Sequence, residues 1–154
     1  MKVTPAILMI FFMLPGICHR QERAVYWSFH VSQANPDEVT LSLVAEIAPG
    51  WHIFSQFLKA EDLLPTKFTF QQTGDYLLIG STMEAGNVSN HDNKRHAMEI
   101  TQYSGAATFW QRAKINPAGT TISGTVEYMA CNHHMCVPGK QEFSIELPVV
   151  PKTP

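Results

Sequence analysis

No part of this sequence carries the charge needed to follow a nucleic-acid backbone. Only 16% of its 154 residues are charged, and 11 basic residues against 13 acidic ones leave a formal net charge of −2. The single basic cluster, "NKRH" from Asn93 to His96, reads as a solvated loop, so nucleic acid is not an expected partner. Long apolar runs are missing too. The one uninterrupted run, Ala6 to Leu14, is well short of the roughly 20 residues that cross a bilayer. It follows Lys2 and precedes Pro15-Gly16, the order of a signal peptide, so residues 1–18 are expected to be an export leader cleaved after Cys18. Lipid anchoring at Cys18 is the weaker reading, because bulky Ile17 stands where a lipoprotein signal wants a small residue. No stable membrane insertion is expected once the leader is gone, and the mature chain should be periplasmic or otherwise exported. Cysteine is scarce, with three in all, and leader removal leaves only Cys131 and Cys136. A disulfide-dense scaffold is thereby excluded. Nothing in the chain resembles a Ser-His-Asp hydrolase site, a phosphate-cradling glycine loop or an internal repeat.

Helical periodicity is equally scarce. "SQFLKAEDLL" (Ser55 to Leu64) has room for a turn or two before Pro65 stops it. What recurs is alternation with period two: Val39, Leu41, Leu43, Ala45 and Ile47 share one face of a segment, as do Ile122, Val126, Tyr128 and Ala130. "VYWSFHV", "TKFTF", "YLLIG", "AMEITQY", "ATFWQRAKI" and "QEFSIEL" read the same way, divided by "ANPDE", "APG", "QTGD" and "NPAG". About eight short strands in one domain over residues 24–148 predict an all-β, immunoglobulin-like antiparallel β-sandwich, with 149–154 as a frayed tail. The polar stretch 81–96 has little β-propensity and reads as a long loop, the kind that more often serves function.

Chemistry concentrates in "VEYMACNHHMCVPG", Val126 to Gly139. If the flanking segments are the arms of a hairpin, Cys131 and Cys136 sit opposite one another near its tip, within bonding reach. The alternation assigns both sulfurs to the polar face, unless Pro138-Gly139 slips the register. Three readings follow. The pair is a dithiol that exchanges electrons with another protein, a chemistry that needs no cofactor. Or Cys131, His133, His134 and Cys136 form a soft-metal site for copper or zinc, although adjacent histidines on an extended chain point apart. Or the pair is an inert disulfide in a binding domain. His133 and His134, if protonated, would lower the pKa of a neighbouring thiol.

The segments "YMACNHHMCVPG", "PGWHIFSQ" and "LPTKFTF" resemble the N-terminal periplasmic domain of the thiol:disulfide interchange protein DsbD, over roughly Val25 to Leu147. The resemblance implies an immunoglobulin-like domain that takes electrons from a thioredoxin-like donor and passes them to extracytoplasmic oxidoreductases, keeping isomerase or cytochrome-maturation thiols reduced. By position, Cys136 corresponds to the cysteine that forms the mixed disulfide and Cys131 to the one that resolves it. Trp51, Phe54 and Tyr128 correspond to the aromatic surroundings of the pair. The family shields its cysteines with a loop bearing an aromatic cap, whereas 81–96 contains no Phe, Tyr or Trp. The best-known members have one more residue between the cysteines. This chain also carries neither the membrane electron channel nor the thioredoxin-like domain of DsbD. It therefore reads as a stand-alone module whose donor is another polypeptide.

Overall fold

The structure is a computed structural model and describes residues 23–60, 62–88, 100–116 and 120–147. The expected leader, the basic cluster Asn93–His96 and the tail 149–154 lie outside the described residues. Eight antiparallel strands are described: β1 (Val25–Asn35), β2 (Glu38–Ile47), β3 (His52–Phe54), β4 (Lys67–Phe70), β5 (Tyr76–Val88), β6 (Gln102–Ile115), β7 (Thr120–Cys131) and β8 (Cys136–Leu147). No helix occurs among the described residues, as alternation with period two requires. In β2 the alternating set is buried as expected: Val39, Leu41, Leu43, Ala45 and Ile47 are at most 5% exposed. Ile122, Val126 and Ala130 do the same in β7.

Pairing divides the strands into two layers. β1, β2, β6 and β5 are neighbours in that order, and β8, β7 and β4 form the second group. The short strand β3 joins them, pairing with β6 at Ile53↔Tyr103 and with β7 at Ile53↔Ala130. Between the layers lies the main core. Trp27 of β1 meets Phe68 of β4 and Tyr128 of β7 with ring centroids 5.8 and 5.6 Å apart, and Phe29 stacks on Phe143 of β8 at 4.9 Å. Aromatic pairs at these separations add to the stabilisation from burial alone. The result is the immunoglobulin-like sandwich expected from the sequence.

Three local expectations change. β3 is too short to show alternation, so the sequence gives no strand there. "AMEITQY" and "ATFWQRAKI" contribute to one strand, β6, rather than two. Between them Gly105 takes φ +71°, where β6 leaves β2 (Glu46↔Ala106) and begins to pair with β3 (Ile53↔Tyr103). The left-handed backbone there suits glycine and bends the strand from one partner to the next. Residues 81–88, expected to open a long loop, instead continue β5. Gly80 (φ +68°) sits in a bulge between Ile79 and Met83, after which Met83, Glu84, Ala85 and Gly86 pair with Trp110, Phe109, Thr108 and Ala107. Hydrogen bonding to a neighbour overrides weak intrinsic propensity. Residues 89–96 lie outside the described residues.

Gly105→Val places a β-branched side chain in a left-handed conformation and should destabilise the domain by about 1–3 kcal/mol, read as a lowered urea midpoint at unchanged slope.

Candidate functional site

The hairpin β7–β8 keeps one register from Thr120↔Leu147 to Cys131↔Cys136. Pro138 and Gly139 do not slip it. Among the described residues β8 pairs only with β7, so Pro138 sits on an edge strand where a missing N–H is tolerated. Gly139 lies opposite Tyr128, and a Cβ there would come within 2.3 Å of the Tyr128 ring; the glycine makes room for the aromatic. Beyond the cysteines, Asn132 N donates to Met135 O at 2.9 Å, which closes the hairpin. Cys131 and Cys136 therefore form the next, non-hydrogen-bonded pair, the position where strands approach closest. Their Cα atoms are 4.0 Å apart and their sulfurs are bonded.

The tip is organised by a residue that sequence reasoning passed over. Asn132 Oδ1 accepts from His134 N at 2.8 Å and Met135 N at 2.9 Å, an Asx turn that carries the chain through His133-His134 without a positive φ. The signal was available: an asparagine directly before the loop is a turn former. Both histidines are exposed at this tip, while Cys131 is buried. Among the described residues, no three His, Cys, Asp or Glu side chains gather into a group able to hold a metal.

The two sulfurs are not equivalent. Cys136 is exposed, but Cys131 is only 3% exposed, so the expectation that both face solvent needs correction. The parity argument itself survives, since Cys131 lies on the face opposite the main core. That face is covered. Phe54 of β3, Ile100 and Cys131 form a second apolar cluster, against which Leu58, Leu63 and Met129 pack. Alternation along one strand reports which way a side chain points, and says nothing about what another segment lays over it.

That cover, described over residues 55–60 and 62–65, is held at both ends. Thr66 Oγ1 donates to Phe54 O at 2.6 Å. At the other end, Ser55 Oγ donates to Glu84 Oε1, Gln56 N donates to Glu84 Oε2 at 2.9 Å, and Gln56 Nε2 donates to Thr82 O at 2.9 Å. Tyr103 Oη also donates to Glu84 Oε1, at 3.0 Å. Of the turn or two that the sequence suggested for this segment, one is present, closed by Leu58 N donating to Ser55 O at 3.3 Å. Burial, the hydrogen bond to Glu84 and the charge of that carboxylate push Tyr103 up to about 12.

Of the other expected site residues, Phe54 shares the cluster with Cys131. Trp51 and Tyr128 pack against the main core. Directly across from Cys131 in the β3–β7 register stands His52, whose ring lies 5.4 Å from that of Phe54. It was legible only as part of "PGWHIFSQ"; pairing through a three-residue strand puts it beside the cysteine.

The sequence matches the family described as "Thiol:disulfide interchange protein DsbD, N-terminal" over residues 21–148. Among solved structures, it is similar to the N-terminal periplasmic domain of ScsB from Proteus mirabilis, with 16% identity and a TM-score of 0.55, covering 77% of this chain and 44% of that one. The chain thus spans less than half of the ScsB structure it matches. The reduced DsbD N-terminal domain of Neisseria meningitidis is similar with 19% identity and a TM-score of 0.50, covering 80% of this chain and 85% of that one. A search of curated proteins finds no match.

The Tyr103 shift has a consequence for alkaline stability. Its folded pKa of about 12 lies above the ordinary 10.0, so between those values the native state holds a proton that the unfolded state has lost. Stability should therefore be intact below pH 10 and fall as pH rises toward 12. Burial raises Tyr76 and Tyr128 in the same direction. In Tyr103→Phe the fall should be shallower, the remainder belonging to those two phenols, as followed by urea unfolding across the alkaline range.

Proposed function

Because this chain belongs to the DsbD N-terminal family, we propose that it is an exported thiol–disulfide exchange module relaying two electrons through Cys131 and Cys136. The observation that carries the reading is the unequal exposure of two bonded sulfurs: Cys136 open at a hairpin tip, Cys131 covered behind it. Exchange proceeds by attack of a thiolate on one sulfur of a disulfide, and the attacked sulfur must be reachable in line.

In the reducing half-cycle, a thiolate of a thioredoxin-like donor attacks Cys136 Sγ. The Cys131–Cys136 bond breaks, its electron pair leaves on Cys131, and that sulfur takes up a proton. A second donor thiolate then attacks the donor's own sulfur in the mixed disulfide, which releases Cys136 as thiolate. The donor is now oxidised and the module holds two thiols. In the second half-cycle, Cys136 thiolate attacks an acceptor disulfide and displaces one acceptor thiolate. Cys131, deprotonated, attacks Cys136 Sγ, displaces the acceptor's other thiolate and restores the intramolecular bond. The acceptors are extracytoplasmic oxidoreductases.

The hairpin suits this cycle energetically. A bridge closing so short a loop stabilises the fold by only about 2 kcal/mol in the chain-entropy account. The β7–β8 ladder, continuous from Thr120↔Leu147, holds both residues in register independently of the bond. Reduction leaves the thiols adjacent, and adjacency makes the resolving attack effectively intramolecular. As a staple, the same bridge would add little to strands already paired.

Trapping tests the assignment. Cys131→Ser, with Cys136 free, should accumulate mixed disulfides with thioredoxin-like proteins in the intact compartment, identified by mass spectrometry. Cys136→Ser should capture at least about tenfold less, because the remaining sulfur is covered. A Cys131→Ser chain that captures nothing, together with a wild-type bridge that thioredoxin-like donors leave oxidised, would make the disulfide structural.

A further inference from the structure

The cover over Cys131 is thin. Leu58 and Leu63 face the cluster that contains the sulfur, while their neighbours Phe57 and Leu64 are 65% and 51% exposed. One layer of two leucines does not by its own burial hold an irregular segment closed against solvent. Its fixed end is polar. Three hydrogen bonds tie Ser55 and Gln56 to β5, and two of them end on the Glu84 carboxylate. Ser55 and Tyr103, which both donate to Glu84 Oε1, are 3% and 4% exposed. Removing the carboxylate leaves buried donors without their acceptor, and the turn recovers those bonds only by swinging toward water. Ser55 Oγ also accepts from Phe57 N at 3.0 Å, so the turn preceding Leu58 moves with it.

We propose that Glu84 is a positioning residue that decides which sulfur a partner attacks. By latching the turn that carries Leu58 onto the cluster around Cys131, it confines nucleophilic attack to Cys136. The consequence for exchange rests on the relay reading above; the latch itself does not. Attack on Cys136 joins the partner sulfur to Cys136, breaks the intramolecular bond and sends the electron pair to Cys131, where the thiolate is held beside the mixed disulfide it must later resolve. Attack on Cys131 would join the partner to the inner sulfur and release Cys136 thiolate at the exposed tip, reversing the roles. A covered leaving group and an open electrophile give the module a single order of events.

The test uses the full chain with one thiol at a time. In Cys18→Ser/Cys136→Ser, where Cys131 is the lone thiol, adding Glu84→Ala should raise the rate of N-ethylmaleimide labelling about tenfold or more, the size expected for losing charge-assisted bonds that hold a local closed state. Glu84→Gln, which keeps an acceptor oxygen, should fall between. In Cys18→Ser/Cys131→Ser, the same Glu84 substitutions should leave Cys136 labelling within about twofold, since that sulfur is already open. Low urea separates local opening from unfolding, because a segment that swings aside exposes little surface and its labelling hardly responds to denaturant. If Glu84→Ala fails to fold, Gln56→Ala loosens the same turn from its own side and should give a smaller rise of the same kind.

An unchanged Cys131 rate in a folded Glu84 or Gln56 variant would overturn the inference. So would equal acceleration at both cysteines, or acceleration with the steep urea dependence of global unfolding. In the two-cysteine chain, mixed disulfides with a thioredoxin-like protein should map to Cys136 alone in wild type and partly to Cys131 in Glu84→Ala. Failure of the relay reading looks different: the wild-type chain captures no partner while the labelling contrast persists.

Discussion

The structure turns on the register of one hairpin. Residues on β7 and β8 alternate between hydrogen-bonded and open pairs, and an open pair brings the side chains closest across the ribbon. Closure of the tip at Asn132 and Met135 makes Cys131 and Cys136 such a pair. A shift by one residue would set the cysteines on opposite faces and abolish the bridge. The long ladder below the tip, the proline confined to an edge and the glycine that receives the Tyr128 ring all serve to hold that register.

From there, the asymmetry between the sulfurs arises outside the hairpin. β3 is a short strand, yet it joins the two layers and delivers Phe54 and His52 to the face that carries Cys131. The chain leaving β3 is tied through Gln56 to β5 and crosses the face as an irregular cover. Thus the bulged strand β5, on the far edge of β6, reaches the start of the covering segment through the Glu84 carboxylate. The covering that the structure describes falls on the inner sulfur and is apolar, built around Phe54 and Ile100 with Leu58, Leu63 and Met129 packed against them.

Much of the site was visible in the residues alone. The hairpin, a cysteine pair within bonding reach and the face assigned to each cysteine follow from period-two alternation and the spacing of Cys131 and Cys136. Asn132 and Glu84 were not singled out. Asn132 acts through local turn chemistry that a closer reading would have found. Glu84 sits in a stretch of weak β-propensity, and its importance comes from donors 28 and 29 residues away. His52 falls in the same class, since a three-residue strand leaves no periodic trace.

The sequence by itself determined the sandwich class, the core faces of β2 and β7 and the pairing of the two cysteines, because these depend on side-chain alternation and on residues close along the chain. Only the tertiary structure decided that one sulfur is covered and the other open, that 81–88 is a strand, and that Trp51 and Tyr128 pack against the main core. Those outcomes depend on which distant segment lies over which face, and that is set by hydrogen bonds and packing between residues with no fixed spacing in the chain.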